Sequence, residues 1–494
     1  MDRPKEKHAS GGATLYALSR IWLQLAGGIL FLVTSVRISP SEFGEFAVAA
    51  STFAALTVFV GQGTYEYVMK ERDNPRAAPT VFFLNMSTAT LAAVAALIAA
   101  VVIPMIIEGR NASRMLTMLA PAFYLMALST LMESVIMKRG QITKVAVASL
   151  VTETVALVIA LVALFRGAGV LALVYQRLSR EAMILAAYGV TTKWRPQIDF
   201  SMAEARRAVL FAKDIVATRF IGMGSTAALD VTIAAVLSTA DAGVYRLVQR
   251  LLNMGSDVIY QPFRAIMWVR LPPLQNDIKA FGRTALEVLE VYAVGLFAIL
   301  VGVALIAAPA FPLVFDPEWH DVGVVVIIVA VSRLILTPGS LSEVVFALSN
   351  RTAILTRSAL LLAVLSLVSA FVAAPFGLMP FLLSQIVVAL VSEVYVLPHI
   401  AAATGVPIRE YLKMMLRLTL ASLVMVALVS PWLHFGPIVG IDGWPLVGSA
   451  VLFGALAYLA SARRFSPVGY AAYEDTAVSL FNRIRSRLSG GGRG

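Results

Sequence analysis

The sequence predicts an all-α integral membrane protein with about fourteen transmembrane helices. Three observations support this class. Of 494 residues, 59% are hydrophobic and only 14% charged; the apolar residues gather into stretches of spanning length; and the basic residues collect on one side of those stretches. A soluble domain carries about 25% charged residues, and no soluble core of this length could bury so much apolar surface. A bilayer can solvate it.

A spanning helix needs about 20 mainly apolar residues. The N-terminus is basic and leads into an apolar stretch too long for a signal peptide core, with no small-residue cleavage site after it, so it is read as an uncleaved first span. Spans are expected at 14–36, 43–65, 78–106, 114–136, 145–165 and 168–190, then at 209–236, 242–263, 286–308, 322–346, 354–374 and 380–402. Two more follow at 414–434 and 444–462, with the Pro- and Gly-containing tenth span the least regular. These define an N-terminal six-helix bundle at 1–190, a cytoplasmic linker helix at 191–208, a second six-helix bundle at 209–403, two extra spans within 414–462 and a basic tail at 463–494.

Charge fixes the orientation. Of 40 Lys and Arg, only Arg37, Arg110, Arg114 and Arg166 fall on the outer side when the N-terminus is inside. That asymmetry obeys the positive-inside rule and places both termini in the cytoplasm. It also accounts for the net charge of +11, so nucleic acid is not an expected partner. Membrane lipids are. Cysteine is absent and only four His are present, which argues against a metal site. Neither a phosphate-binding Walker A loop nor a dinucleotide glycine fingerprint occurs, so no cofactor is expected and ATP is not the direct energy source.

The chain also repeats itself. Shifted by 199 residues, Ser19-Arg20-Ile21 lies over Thr218-Arg219-Phe220, and the ungapped run from Ile38 to Phe46 lies over Leu237 to Tyr245, matching Ser39 to Ser238 and Gly44 to Gly243. The glycine suits a turn with positive φ or a close helix approach, and Glu42 or Asp241 two residues earlier suits a helix N-terminus. The first and seventh spans run in the same direction, so the halves are expected to be parallel repeats, with a binding site between them near mid-membrane.

The runs SRIWLQLAGGILFLVTSVRISPSEFGEFAVAAS and GQGTYEYVMKER resemble the start of the polysaccharide-exporter flippases, of the multidrug/oligosaccharidyl-lipid/polysaccharide superfamily. WRPQIDFSMAEARRAVLFAKDIVATRF and ADAGVYRLVQRLLN resemble the start of that family's second half. The resemblance covers the layout of the first twelve spans and implies a V-shaped pair of pseudo-twofold-related six-helix bundles with two extra C-terminal helices. It further implies a bacterial inner-membrane flippase that carries polyprenyl-diphosphate-linked oligosaccharides outward for O-antigen or exopolysaccharide synthesis, alongside polymerase and export machinery, and catalyses no reaction. A peptidoglycan lipid-precursor flippase of the same superfamily is the alternative. An integral-membrane glycosyltransferase or polymerase is a second one, disfavoured because no loop is large enough to house catalysis.

Charges within spans are the candidate site residues, because each costs about 2.5–3.5 kcal/mol at the helix centre on insertion scales. Arg246, Arg250, Asn253 and Asp257 form a stripe at i, i+4, i+7 and i+11; Tyr16, Arg20 and Gln24 form another, and Arg219, Met223, Thr226 and Asp230 a third. Stripes facing a shared space describe a wet cavity, and guanidinium forks suit diphosphate oxygens. Arg20, Arg219, Arg246, Arg250, Arg333 and Arg180 are therefore the expected substrate-binding cations. Asp257, Asp230 and Glu343 are the acids expected to carry a coupling proton or cation. Snorkelling to lipid phosphates is the alternative for Arg20 and Arg219, and Arg177 can neutralise Glu181 one turn away. Pro338-Gly339 in the tenth span reads equally as a gating hinge or a passive kink. Ser201 to Glu204 forms a capping box that starts a helix leading into the seventh span, and residues 477–488 have the spacing of an amphipathic helix on an anionic leaflet.

Overall fold

The structure, a computed structural model, describes residues 4–71, 74–107, 111–192, 199–317, 319, 322–349, 351–471 and 473–474; the side chains of 4–14, 17, 18, 20, 21, 214, 218, 261, 265, 269 and 352 are outside that description. Among the described residues every regular element is helical. In chain order these are α1 (Pro4–Ser35), α2 (Pro40–Thr57), α3 (Thr64–Lys70), α4 (Ala77–Val102), α5 (Asn111–Lys138), α6 (Ile142–Ala163), α7 (Leu171–Thr192) and α8 (Met202–Val236). Then follow α9 (Thr239–Arg270), α10 (Ile278–Val314), α11 (Val322–Ile335), α12 (Ser342–Leu348), α13 (Thr352–Ala373), α14 (Leu378–Thr404), α15 (Ile408–Phe435) and α16 (Gly443–Phe465).

Nine helices among the described residues are long and apolar enough to cross a membrane, and the bent pair α11 and α12 makes ten. The remaining expected spans coincide with α1, α2, α7 and α9, whose charges or short apolar runs keep them below that standard. The protein is thus a multi-pass α-helical membrane protein, and its described helices are consistent with about fourteen spans.

Two boundaries differ from expectation. The second span was expected to continue to residue 65, but α2 ends at Thr57. Gly61 and Gly63 then take φ of 78° and 76°, and Glu66 accepts the Gly63 N–H at 2.9 Å, starting α3 as a separate short helix. The linker helix expected at 191–208 is not separate either: α8 runs unbroken from Met202 to Val236. Ser201 caps it as the sequence suggests, accepting the Glu204 N–H at 3.4 Å. Nothing interrupts helical propensity after it, so the segment feeds straight into the span. The amphipathic segment at 477–488 lies outside the described residues.

The chain divides into two compact units, Met1–Arg246 and Leu247–Gly494. In the first, α1 packs on α6, α4 and α7 on α5, and α2 on α8. Ala26 and Ala160 interleave with Leu30 and Leu157 in the buried seam between α1 and α6. Glu45 of α2 ties the unit further. Its carboxylate is buried and accepts the main-chain N–H groups of Asn111 at 2.7 Å and Ala112 at 3.2 Å, satisfying donors that the start of α5 would otherwise leave orphaned.

The repeat is visible inside this unit. Ser39 and Ser238 both cap helices, accepting the N–H groups of Glu42 and Asp241. Gly44 and Gly243, which superpose in sequence, meet in space: a Cβ on Gly44 would lie 1.6 Å from the Thr239 carbonyl oxygen, and one on Gly243 2.0 Å from the Pro40 carbonyl oxygen. Pro40 and Thr239 are themselves a repeat pair, so the contact is reciprocal, as a twofold relation between parallel repeats requires. Neither glycine has positive φ; close backbone approach is what excludes a side chain.

In the second unit α10 packs against α11, α15 and α16, and α14 against α11 and α13. The span formed by α11 and α12 bends by 52° at the break, which carries Pro338 and Gly339 in a single 3-10 turn, Pro338–Leu341.

Candidate functional site

The site is best built from α9, the most amphipathic of the long helices. Its polar residues Arg246, Arg250, Asn253, Asp257, Tyr260 and Arg264 recur every three or four positions, with Gln249 beside them, so they form one edge along the 32-residue helix. The broken span of the second unit reaches that edge with two side chains. Arg333 of α11 donates to Asn253 Oδ1 at 2.7 Å, to the Gln249 main-chain oxygen at 3.3 Å and to Gln249 Oε1. Glu343 of α12 receives Arg264 in a fork, with Nε at 3.1 Å from both carboxylate oxygens and Nη2 at 2.6 Å from one. Tyr260 donates to the same carboxylate at 3.4 Å. The polar edge of α9 and both halves of the broken span are therefore joined by bidentate and multidentate guanidinium bonds, the stronger kind.

The other predicted cations lie in the first unit. Arg246 sits 3.5 Å from Asp230 of α8; the carboxylate is buried, while the arginine stays 31% exposed. Arg219 of α8 pairs with Glu66 of α3 at 3.3 Å, both partly exposed. Arg20 belongs to α1, but its side chain is outside the described residues. Arg180, expected to face the substrate space, is instead drawn into a buried cluster: its Nε lies 2.7 Å from Glu153 Oε2 and its Nη1 2.7 Å from Glu181 Oε1. Arg177 completes the cluster, 3.3 Å from Glu181 and with its guanidinium 5.5 Å from the centre of the Phe53 ring. Two guanidiniums and two carboxylates cancel there, so Arg180 is spoken for by its own helix pair.

The acids divide the same way. Asp230 faces Arg246, and Glu343 faces Arg264, each at ion-pair distance. Asp257 is exposed on the edge of α9. Sequence reasoning did not single out Arg264, although it lies eighteen residues, five helical turns, beyond Arg246 on the same stripe; placing the span end at 263 hid it. Gln249 was missed because a neutral amide carries no insertion penalty to flag it.

The second unit also has an apolar recess of about 380 Å³ between α10, α15 and α16, walled by Gly295, Ala298, Gly302, Met425, Val429 and Tyr458. Gly302 and Ala298 leave the space open. Its chemistry suits a hydrocarbon chain rather than a polar solute.

The fold is one that solved multi-pass transporters share. The solved lipid II flippase MurJ, in an inward closed conformation, is similar over 92% of this chain and 98% of that one, with a TM-score of 0.71 and 12% identity. An inward-facing multidrug resistance MATE family transporter of the MOP superfamily matches over 78% of this chain and 96% of that one, with a TM-score of 0.57 and 13% identity. The chain belongs to the polysaccharide biosynthesis protein family, which it matches over residues 37–324. It is also 23% identical over 304 residues to the succinoglycan biosynthesis transport protein ExoT of Rhizobium meliloti (strain 1021), spanning 61% of this chain and 62% of that protein. The match therefore spans less than two thirds of the length of that relative.

Proposed function

We propose that the protein is a flippase that carries a polyprenyl-diphosphate-linked oligosaccharide from the cytoplasmic to the outer leaflet of a bacterial inner membrane, serving surface polysaccharide synthesis. It makes and breaks no covalent bond, and both termini lie in the cytoplasm. The observation that carries this reading is the polar edge of α9, which runs the length of a membrane span and is supplemented by Arg333. Such an edge has no purpose against lipid, where each charge is penalised. Against a wet path it offers guanidinium groups at successive depths for a diphosphate. By position within the spans expected from the sequence, Arg219 and Arg20 fall toward the inner end of theirs, Arg333 near the middle, and Arg246 and Arg250 toward the outer end. The apolar recess beside α15 and α16 supplies a berth for the prenyl chain while the head group passes. Family membership and the relationship to ExoT favour an exopolysaccharide unit as cargo.

Each charge-assisted hydrogen bond is worth about 1.5–3 kcal/mol, or roughly a 10- to 100-fold change in affinity. Arg250→Ala and Arg333→Ala should therefore abolish surface polysaccharide in a host that depends on this protein, while membrane levels of the protein stay unchanged. Normal polysaccharide from both variants refutes the assignment. Likeness to MurJ in fold favours a second reading, transport of the peptidoglycan lipid precursor. Deletion separates the two, since loss of that activity stops growth whereas loss of an exopolysaccharide does not.

A further inference from the structure

We propose that the turn joining α6 to α7 binds an anionic phospholipid, with the lipid phosphate on Arg166 and Tyr175 and one acyl chain along the apolar groove beside them. The end of α6 runs into a single π-helical turn, Leu164–Ala168, inside which Gly167 takes a φ of 87°; Gly169 follows with a φ of 55°. A Cβ on Gly167 would meet nothing within 4 Å, so its backbone conformation, and not crowding, calls for glycine there. A groove of about 510 Å³ opens at this turn, walled by Val158, Ile159 and Val162 of α6 and by Arg166, Gly167 and Tyr175.

The groove is polar at one end and apolar along the rest. Val155, Val158, Val162 and Arg166 recur at i, i+3, i+7 and i+11, one face of a helix, and all four are exposed. Arg166 thus stands about 16 Å along the axis from Val155, at the hairpin end of an apolar strip. Tyr175 belongs to the first turns of α7, which starts at Leu171, and a helical side chain leans toward its own N-terminus, here the Arg166 end. Among the described residues neither Arg166 nor Tyr175 has a hydrogen-bond or ion-pair partner, and no acid lines the groove. A second cation flanks the same turn: Arg37, just past α1, holds its guanidinium 4.9 Å from the centre of the Phe165 ring. Under the topology proposed above, only four arginines lie on this side of the membrane. Two of them are here.

The two ends of the groove select the ligand together. A hydrocarbon alone would leave the guanidinium and the phenol unanswered, and a small anion alone would leave the strip of valines unused. A phosphodiester offers acceptor oxygens to both polar groups, and a guanidinium fork suits it. The acyl chain of the same molecule follows the strip toward Val155. Net negative charge, which a zwitterionic head group lacks, answers the pair of guanidiniums. The site is built from α1, α6 and α7 alone and does not depend on the flippase reading.

The chain has no cysteine, so Val155→Cys carries a single fluorescent label at the far end of the strip. The purified full-length protein is placed in phosphatidylcholine vesicles, and a rising share of the lipid is replaced by phosphatidylglycerol or phosphatidylcholine bearing a nitroxide on its acyl chain. Each guanidinium near a head group is worth about a fivefold preference for the anionic lipid. The pair should therefore make phosphatidylglycerol the better quencher by roughly 20-fold. Arg166→Gln should cut that preference about fivefold, and the double variant with Arg37→Gln should abolish it. Arg114→Gln, which removes another exposed arginine expected on the same side, should leave it unchanged. Equal quenching by the two lipids in the labelled parent overturns the proposal, as does a preference that survives in Arg166→Gln, the behaviour of an arginine that merely reaches for water. Relief of the quenching by inorganic phosphate overturns the choice of ligand, because a free anion would then hold the site without a chain.

Discussion

Adding one methyl group where the two repeats cross should be among the most damaging small substitutions in the protein. In Gly44→Ala the new Cβ would start 1.6 Å from the Thr239 carbonyl oxygen. A comfortable C···O contact needs about 3.3 Å, so α2 and the first turn of α9 must part by about 1.7 Å. That separation also strains the 2.7 Å hydrogen bond between the Ser41 and Thr239 hydroxyls. The obstruction is main chain rather than a flexible side chain, which puts the overpacking penalty near the top of its range, about 3 kcal/mol. The better helix propensity of alanine returns about 1 kcal/mol, leaving a net loss of about 2 kcal/mol. Gly243→Ala should behave alike, its Cβ 2.0 Å from the Pro40 carbonyl oxygen. Because one separation relieves both clashes, the double variant should lose less than the sum of the singles. Apparent melting in detergent tests this, with Gly448→Ala as control, since a Cβ there meets nothing within 4 Å. If Gly44→Ala and Gly243→Ala melt with the control, or if their losses simply add, the reciprocal contact is wrong.

Three further outcomes follow from the same geometry. Glu45→Ala should destabilise the first unit by about 1–3 kcal/mol, because two buried N–H groups at the start of α5 lose their acceptor; hydrogen exchange at Asn111 and Ala112 reads this directly. Arg264→Gln should disrupt the fork on Glu343 and impair polysaccharide export, and the double variant with Glu343→Gln should recover part of that loss, because an unpaired carboxylate no longer remains. In α3, the Tyr67 hydroxyl donates to the buried Glu204 carboxylate. Burial first, then the neighbouring carboxylate, push the Tyr67 phenol up. A raised folded value means this contribution is intact below about pH 10, where the unfolded phenol also keeps its proton, and fades as the pH rises beyond it. Tyr67→Phe should lower stability at neutral pH and flatten the alkaline part of the profile.

Helix placement was largely legible because hydropathy and charge asymmetry act locally. Where it failed, a local device had been overlooked: the Gly61 and Gly63 turn that stops α2, and the unbroken run after Ser201 that makes the linker part of α8. The repeat was legible as a register of Ser39, Gly44, Ser238 and Gly243, but not its cause, since only folding brings Gly44 to Thr239. The stripe on α9 followed from spacing alone. Which arginine meets which acid did not: Arg180 to Glu153 and Arg246 to Asp230 join different helices, and no periodicity along one helix encodes the partner on another. Glu393 is the sharpest case. Its sequence neighbours mark it only as an acid in a span, and the closeness of its Oε2 to position 339, where a Cβ would lie 2.9 Å away, exists only once α14 lies beside the break.

The neutral quartet of Arg177, Arg180, Glu153 and Glu181 has a consequence for how the chain is made. Alone, α7 offers a lipid bilayer three charges and falls short of the hydropathy of a self-inserting segment. α6 brings Glu153, and Gln176 donates to that same carboxylate at 2.8 Å. The pair is then the smallest piece that can leave the translocation machinery with its charges answered. A ribosome that has finished only α6 has synthesised an acid still waiting for its arginine, so these two helices should partition into lipid as a hairpin, and a variant lacking Glu153 should strand α7 at the water's edge during biosynthesis.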